Sequence, residues 1–338
     1  LRVLLLSLPS FNKYIYYYQK NVLKMDKLHE CIIVAAKKHD GYILVKNRDR
    51  RSLSDYKVYH NLYKGVELAY AEDSTGWAEG MSEHVGFVYT YFMNKDSSSY
   101  YKYRSKWGVQ SEITIAGHNG TKETKNSERK RDEFKNILTF KNAEKAVEYI
   151  KTLEWNGAYF VCDKDGVYEV EHFQHETEVR RCDFSKSNFK VKTNYGDIIK
   201  SAGHLDGIEG TARGNAEVRK TETKRYLLGF KNSTDIIKRM QQRTFTDTSS
   251  LNVFRVDDEE RTVGQLLIDM NHKIFQFIHH DENSTFHGLV EDLPKDFDKK
   301  LSVYVRNKKE FDRAGEYKQF MSKKDDLYSH YKTFKVDF

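Results

Sequence analysis

A recurring β-hairpin pattern constrains the fold of this 338-residue chain more than any other feature of its sequence. Residues 31–36 are apolar and rich in β-branched side chains, Asp40 and Gly41 form a turn signal, and residues 42–45 are apolar again. Two later segments repeat this pattern, at residues 159–171 and at residues 262–278. Because a hairpin pairs its two strands antiparallel, the sequence predicts antiparallel sheets.

Two segments predict helices between these hairpins. In the first, apolar residues follow helical spacing over residues 143–153, and Asn142 is a suitable N-cap. The second covers residues 217–228. Further strands are predicted at residues 86–92 and 189–193. An order of strands, helix, strands, helix and strands favours an α+β class with one main domain.

Two charged segments interrupt this pattern. Residues 95–136 combine a run of serines with a strongly charged stretch, so we expect a mobile basic insert there. Residues 301–338 are charged with interspersed Tyr and Phe, which predicts a helical or irregular C-terminal tail. The main domain is therefore expected over residues 31–300.

The composition excludes several classes of protein. Aromatic residues make up 14% of the chain, which argues against wholesale disorder. The longest apolar stretch is much shorter than the ~20 residues that a membrane span needs, so no membrane span is expected. The net charge is +7, but basic residues are interleaved with acidic ones, so binding to nucleic acid is not favoured. The oligomeric state stays open, and a homo-oligomer is one option.

The three cysteines, Cys31, Cys162 and Cys182, are too few and too scattered for a disulfide framework. They favour a reducing compartment, so the cytoplasm is favoured over secretion. One group suggests a metal site, namely Cys162, His172, His175 and Cys182, but its spacing matches no structural zinc pattern. No phosphate-binding signature occurs, and no cofactor or metal is expected.

Four short motifs, together with Cys31 at the start of a predicted strand, carry a resemblance to a known family. They are residues 45–49 (Val-Lys-Asn-Arg-Asp), 79–87 (Glu-Gly-Met-Ser-Glu-His-Val-Gly-Phe), 192–194 (Lys-Thr-Asn) and 216–219 (Ala-Glu-Val-Arg). In content and order they resemble motifs of the N-terminal-nucleophile hydrolases, specifically the choloylglycine hydrolase, penicillin V acylase and acyl-coenzyme A:6-aminopenicillanate acyltransferase group. The resemblance covers residues 31–280.

The resemblance implies a role for each matching residue. Cys31 would be the nucleophile, and its own α-amine would accept the thiol proton once Cys31 is at a chain terminus. Asp49 would orient that amine, and the side-chain amide of Asn194 would stabilise the oxyanion. Arg219 would complete the site electrostatically, with Arg213 as the alternative in a shifted register.

Two parts of the site depart from the family pattern. The family has an arginine at the position of Lys46, where a cation lowers the pKa of the thiol. Lys is a point charge, whereas Arg offers a planar fork, so Arg48 on the same face of the strand is the alternative source of a guanidinium. The second oxyanion donor would be a backbone N–H near Met93 or Asn94, where the expected insert shifts the alignment.

By resemblance, the fold would be a four-layer αββα sandwich with antiparallel sheets. The reaction would be hydrolysis of a linear non-peptide amide of a small N-acyl compound, through a thioester on Cys31. Aminolysis of the same thioester would make the protein an acyltransferase. A degenerate fold that binds polyanions is the non-catalytic alternative.

Because Cys31 is internal, the mechanism requires autocatalytic cleavage of the Glu30–Cys31 bond. Residues 1–30 would then be a leader or propeptide, unless those before Met25 are an upstream extension.

Overall fold

The computed structural model describes residues 31–50, 56–73, 77–92, 120–203, 209–245, 251–255, 261–279, 285–286, 301–307 and 330–338. Within these residues the chain forms fifteen strands and four helices. The strands are β1 Ile32–Lys38, β2 Gly41–Arg50, β3 Tyr56–Tyr63, β4 Val66–Asp73, β5 Ala78–Ser82, β6 Gly86–Tyr91, β7 Gly157–Cys162, β8 Val167–Phe173, β9 Glu176–Arg181, β10 Phe189–Lys192, β11 Arg261–Asp269, β12 Ile274–His279, β13 Thr285–Phe286, β14 Leu301–Asn307 and β15 His330–Asp337. The helices are α1 Gly120–Leu138, α2 Ala143–Ile150, α3 Glu209–Leu227 and α4 Ser233–Arg239.

The strands form two sheets. The first sheet has the order β10-β1-β2-β11-β12-β15-β14, and its neighbouring strands are all antiparallel. The second sheet has the order β13-β3-β4-β5-β6-β7-β8-β9. It is antiparallel except where the two-residue β13 pairs with β3. The predicted α+β class with antiparallel sheets is therefore confirmed.

An apolar layer lies between the two sheets. Side chains alternate along a strand, so one face of β1 contributes Ile33 and Ala35 to this layer. The same cluster contains Val88 and Phe160 of the second sheet. The two sheets therefore pack face to face, and removal of this apolar surface from water stabilises the fold by about 25 cal/mol per Å².

Helices pack against the outer faces of both sheets. Phe134 of α1 shares an apolar cluster with Phe87 of the second sheet, and α2 contributes to that cluster as well. On the first sheet, Leu227 of α3 and Ile236 of α4 share a cluster with Val34. Within the described residues, no helix combines the length and the apolar composition that a membrane span requires.

Several predicted elements are present at the predicted places. Helix α2 begins after Asn142, whose extended backbone and side-chain oxygen form an N-cap that accepts the N–H of Lys145 at 2.9 Å. The three predicted hairpins correspond to β1–β2, β7–β8 and β11–β12. In the second of these, Oδ1 of Asp163 accepts the N–H groups of Asp165 and Gly166, which fixes the turn.

The expectation of a mobile insert over residues 95–136 is wrong for residues 120–136, which belong to α1. Phe134, Ile137 and Leu138 near the end of this helix are buried against the second sheet. Their spacing forms one apolar side on an otherwise charged helix, and the high charge concealed it in the sequence. The rest of the expected insert, residues 95–119, lies outside the described residues.

The C-terminal tail is also corrected. Residues 301–338 contain β14 and β15, which extend the first sheet through the pairing of β15 with β12. Val336 is fully buried in the core between the sheets. Leu301, Val303 and Val305 alternate as expected for a strand, but interspersed charges concealed the pattern. These two strands are therefore part of the main domain.

Other elements were not predicted from the sequence pattern, namely β3, β4, β5, β9, β13 and α4. The second strand continues beyond the apolar residues 42–45 to Arg50, so the charged residues after Val45 lie inside it. This extension is what brings the motif at residues 45–49 into the sheet.

Candidate active site

Strand β2 presents buried charges to both faces of the first sheet. Leu44 lies in the core between the sheets, whereas Val45 lies in the cluster beneath α3 and α4. By alternation, Lys46 and Arg48 face the second sheet and Asp49 faces the helices. None of these three charged residues is more than 2% exposed. One short run of sequence therefore supplies charged groups to both sides of the candidate site.

Cys31 directly precedes β1 and is only 1% exposed. Its backbone N–H donates to Oδ1 of Asn194 at 2.7 Å. This contact follows from strand register, because Ile33 pairs with Lys192 and Asn194 lies two residues further along. Nδ2 of Asn194 donates to the carbonyl oxygen of Tyr91 at 2.8 Å, at the end of β6 in the second sheet. The Asn194 amide thus joins Cys31 to the opposite sheet.

Arg48 lies on the other side of Cys31. Ile32 pairs with Asn47 in the β1–β2 hairpin, and one further step of the same register leads to Cys31 and Arg48. Both of these residues lie on the strand face that is directed to the second sheet. Arg48 is therefore the cation that the β1–β2 register brings next to Cys31.

Glu79 of β5 joins the two cations of β2. One of its carboxylate oxygens accepts from Nζ of Lys46 and the other from Nη1 of Arg48. Nζ of Lys46 also donates to the carbonyl oxygen of Tyr89 at 2.7 Å and lies 4.5 Å from the centre of that ring. The guanidinium of Arg48 lies 5.4 Å from the ring of Tyr56. The second sheet therefore fixes both cations.

Asp49 makes its contacts on the helix-covered face. It is fully buried, as is Arg219 of α3, whose Nη2 donates to Oδ2 of the carboxylate. The hydroxyl of Thr262 donates to Oδ1 at 2.7 Å, and Nη1 of Arg255 lies 3.9 Å from Oδ2. Both oxygens of Asp49 are thus held, which fixes the orientation of the carboxylate.

Sequence reasoning missed Thr262 and Arg255 as site residues. Their backbones pair with each other, and the N–H of Arg255 also donates to Oγ1 of Thr262 at 3.0 Å. The pairing of β11 with β2 shifts between Thr262 and Gly264, and this β-bulge brings Thr262 opposite Asp49. A glycine inside an otherwise apolar strand is typical of a bulge, so Gly264 was the available signal.

A second buried network lies beside Asn194. Lys192 forms ion pairs with Glu171 and Glu169 of β8 and lies 3.5 Å from Oδ2 of Asp197. Burial acts to lower the pKa of Lys192, but these three carboxylates raise it. Among the described residues they are also the acidic groups close enough together to ligate a metal ion. The ammonium of Lys192 already lies among them, so the chain supplies its own counter-charge.

Four other residues singled out in the sequence lie away from this site. Cys162 is in the core between the sheets, and burial raises the pKa of its thiol well above the usual value. Burial also raises the pKa of Cys182 to about 12. The ring nitrogens of His172 contact the carbonyl oxygen of Gln174 and the hydroxyl of Thr177. The acidic group described above includes none of the four residues Cys162, His172, His175 and Cys182.

Three predicted residues are not described in full. Met93 and Asn94, the expected positions of the backbone oxyanion donor, lie outside the described residues. Arg213 belongs to α3, but its side chain is outside them. The residues that the structure does bring together are Cys31 with Asn194, Asp49 with Arg219, and Lys46 with Arg48.

This arrangement combines a buried thiol, an amide in contact with the nitrogen of the same residue, and fixed charges on both faces of the neighbouring strand. Such groups can support nucleophilic attack and stabilise the resulting oxyanion. A scan against protein-family models finds no match to the chain, and a search of curated proteins also finds none. The functional argument therefore rests on the residues themselves.

Proposed function

We propose that the chain is a cysteine N-terminal-nucleophile hydrolase that cleaves a linear non-peptide amide of an N-acyl compound, after freeing Cys31 by its own action. The observation that carries this proposal is the 2.7 Å hydrogen bond from the backbone nitrogen of Cys31 to Oδ1 of Asn194. Without Glu30, that nitrogen is an α-amine. An α-amine next to its own thiol, and held by an amide oxygen, is suited to accept the thiol proton.

A four-layer αββα arrangement is part of the proposal. It is supported by the sequence of apolar clusters, because α1 and α2 pack on the second sheet, the sheets pack on each other, and α3 and α4 pack on the first sheet. The candidate site then lies at one end of the layer between the sheets. There, polar contacts of Lys46, Arg48 and Asn194 with the second sheet take the place of apolar ones.

The first step of the mechanism is release of the preceding segment. Sγ of Cys31 attacks the carbonyl carbon of Glu30, the C–N bond breaks, and the nitrogen takes a proton to become the α-amine. This N-to-S acyl shift leaves a thioester between Glu30 and Cys31. Water then adds to the thioester, which releases a carboxylic acid at Glu30 and regenerates the thiol.

Turnover repeats this chemistry on a substrate amide. The α-amine of Cys31 takes the thiol proton, Sγ attacks the amide carbon, and the ammonium returns the proton to the departing amine. The Nδ2 group of Asn194 carries two hydrogens and donates one to Tyr91, so the second is the donor proposed for the oxyanion. Asp49 orients the α-amine, and water hydrolyses the thioester to an acid and the free thiol.

The two cations of β2 both supply positive charge to the site. Arg48 lies beside Cys31 and presents a planar guanidinium on the face of the strand that Cys31 shares. Lys46 adds a second positive charge on that face. Their shared partner Glu79 keeps both side chains directed at the layer between the sheets. Arg48 thus takes the place that the family gives to an arginine at the position of Lys46.

The test of the proposed function is the intact mass and N-terminal sequence of the purified protein. We expect the wild type to begin at Cys31 and Cys31→Ala to retain Glu30. Cys182→Ala removes a half-buried thiol outside the site and serves as the matched control, which should also begin at Cys31. A wild type that retains Glu30 contradicts the proposal, and so does a Cys31→Ala variant that is still cleaved.

Substrate class can then be tested on the processed protein. Incubation with N-acyl amides of different chain length should leave an acyl adduct on Cys31 that hydroxylamine removes, as expected for a thioester. Release of free acid identifies a hydrolase. Formation of a new amide when a second amine is added identifies an acyltransferase.

A further inference from the structure

We propose that Glu171 is a positioning residue, which fixes the loop that carries Asn194 and thereby holds the amide in contact with Cys31. The inference rests on the proposed function, because it assigns Glu171 to the same reaction. Glu171 belongs to β8 of the second sheet, whereas Cys31 and Asn194 adjoin strands of the first sheet. Glu171 therefore acts from the opposite side of the layer.

The carboxylate of Glu171 binds three consecutive backbone N–H groups. Oε1 accepts from Asp197 at 2.8 Å, and Oε2 accepts from Ile198 at 2.9 Å and from Ile199 at 2.8 Å. The same carboxylate contacts Nζ of Lys192, two residues before Asn194. Glu171 thus holds the chain on both sides of Asn194.

The rest of the loop is closed on itself and packs against the second sheet. The N–H of Gly196 donates to the carbonyl oxygen of Ala202, and the N–H of Ala202 donates to that of Ile199, each at 3.0 Å. Ile199 and Ala202 are buried in a small cluster with Phe173 and Ala158. A shift of the backbone at residues 197–199 is therefore transmitted to the whole turn.

The charge of Glu171 is important as well as its shape. The residue is fully buried, and hydrogen bonds to an ionised acceptor are stronger than neutral ones, above all in a low dielectric. A glutamine has the same shape, but it has one acceptor oxygen and its NH₂ group would face backbone donors. Glu171→Gln therefore loosens the turn at residues 197–199 while leaving the size of the side chain unchanged.

Glu169 provides a matched control two residues earlier on the same strand. It forms an ion pair with Lys192, as Glu171 does. In the part of the chain that the structure describes, however, the hydrogen bonds to the backbone of residues 197–199 come from Glu171. Glu169→Gln therefore removes a carboxylate from Lys192 and leaves the turn in place.

The experiment measures the first-order rate at which the full chain is converted to the form that begins at Cys31, by mass spectrometry after cell-free synthesis. We expect Glu171→Gln to slow conversion about tenfold or more, since small displacements of a catalytic group have effects of this size. Glu169→Gln should change the rate much less, because Lys192 keeps Glu171 and Asp197 as partners and the hydrogen bonds to residues 197–199 stay in place. Urea unfolding of each variant checks that it is folded.

A double-mutant cycle distinguishes positioning from general destabilisation. If Glu171 acts through Asn194, then Glu171→Gln has no further effect on the rate in an Asn194→Ala background. Effects that multiply in the double variant contradict the inference. If Glu171→Gln does not fold, the cycle uses Glu171→Asp, which retains the charge but is shorter by one methylene.

The outcomes separate this inference from the proposed function. A wild type that is never converted contradicts both. A converted wild type with an unaffected Glu171→Gln variant contradicts the positioning role alone, as do equal effects of Glu171→Gln and Glu169→Gln. Slower conversion by Glu171→Gln alone, absent in the Asn194→Ala background, supports the inference.

Discussion

The buried ion pair between Arg219 and Asp49 leads to a quantitative prediction about stability. Both side chains are fully buried. Removing one partner of a buried pair typically costs about 3–5 kcal/mol, because the remaining charge is left without compensation. In Arg219→Met, Asp49 keeps the hydroxyl of Thr262 and the guanidinium of Arg255 at 3.9 Å. We therefore expect a loss near the lower end, about 3 kcal/mol in the free energy of unfolding.

The assay is urea unfolding followed by circular dichroism, with Arg225→Met as the control. Arg225 is on the same helix and pairs with Glu222, but its side chain is 55% exposed, so its loss should cost far less than the loss of Arg219. A difference of less than about 1 kcal/mol between the two variants would refute the reasoning. In the double variant Asp49→Asn/Arg219→Met, the loss should be smaller than the sum of the single losses, because neither charge of the pair is left buried without the other.

Three further predictions concern pH, backbone conformation and thiol reactivity. Burial acts to raise the pKa of Asp269, but hydrogen bonds outweigh it and hold the pKa below its usual value. The ionised carboxylate therefore stabilises the fold above about pH 4, and this stabilisation is lost as the pH falls further. Asp269→Asn should therefore flatten the fall of the urea midpoint below pH 4, and an unchanged slope contradicts this. Gly203→Ala should be more destabilising than Gly229→Ala in the same assay. Both glycines have positive φ, but only a Cβ at Gly203 would meet backbone atoms. Equal losses of stability in the two variants contradict this. At pH 7 iodoacetamide should label Cys31 of the processed protein and not Cys182, whose pKa of about 12 leaves a thiolate fraction of about 10⁻⁵, as peptide mapping can check.

Local sequence patterns predicted the hairpins and α2 correctly because their signals lie within a few residues of each other. Each of these signals depends on residues only a few positions apart, as in an Asp-Gly turn, a run of alternating apolar residues or an Asn N-cap. The structure confirms the N-cap contact of Asn142 and the turn at Asp163. The α+β class followed from the order of these elements.

Where prediction failed, polar groups were buried by partners distant in sequence. Strand β3 contains His60, which is fully buried and packs against the ring of Phe338, with the two ring centres 5.7 Å apart. The sequence identified Glu79 only as part of the motif at residues 79–87. Its contacts with Lys46 and Arg48 were not predicted, because they join two different sheets. Pairing of this kind depends on how the sheets pack, and composition or periodicity carries no signal for it.

The chemistry proposed for Cys31 depends on strand register, which no motif encodes. A slip of one residue in the pairing with β10 would bring Thr193 beside Cys31 in place of Asn194. A slip of one residue in β2 would direct Asp49 to the second sheet and Arg48 to the helices. Register is fixed by the apolar residues of β1, because one face packs between the sheets and the other beneath α3 and α4. The hydrophobic pattern of the strands therefore determines which polar groups meet at the site.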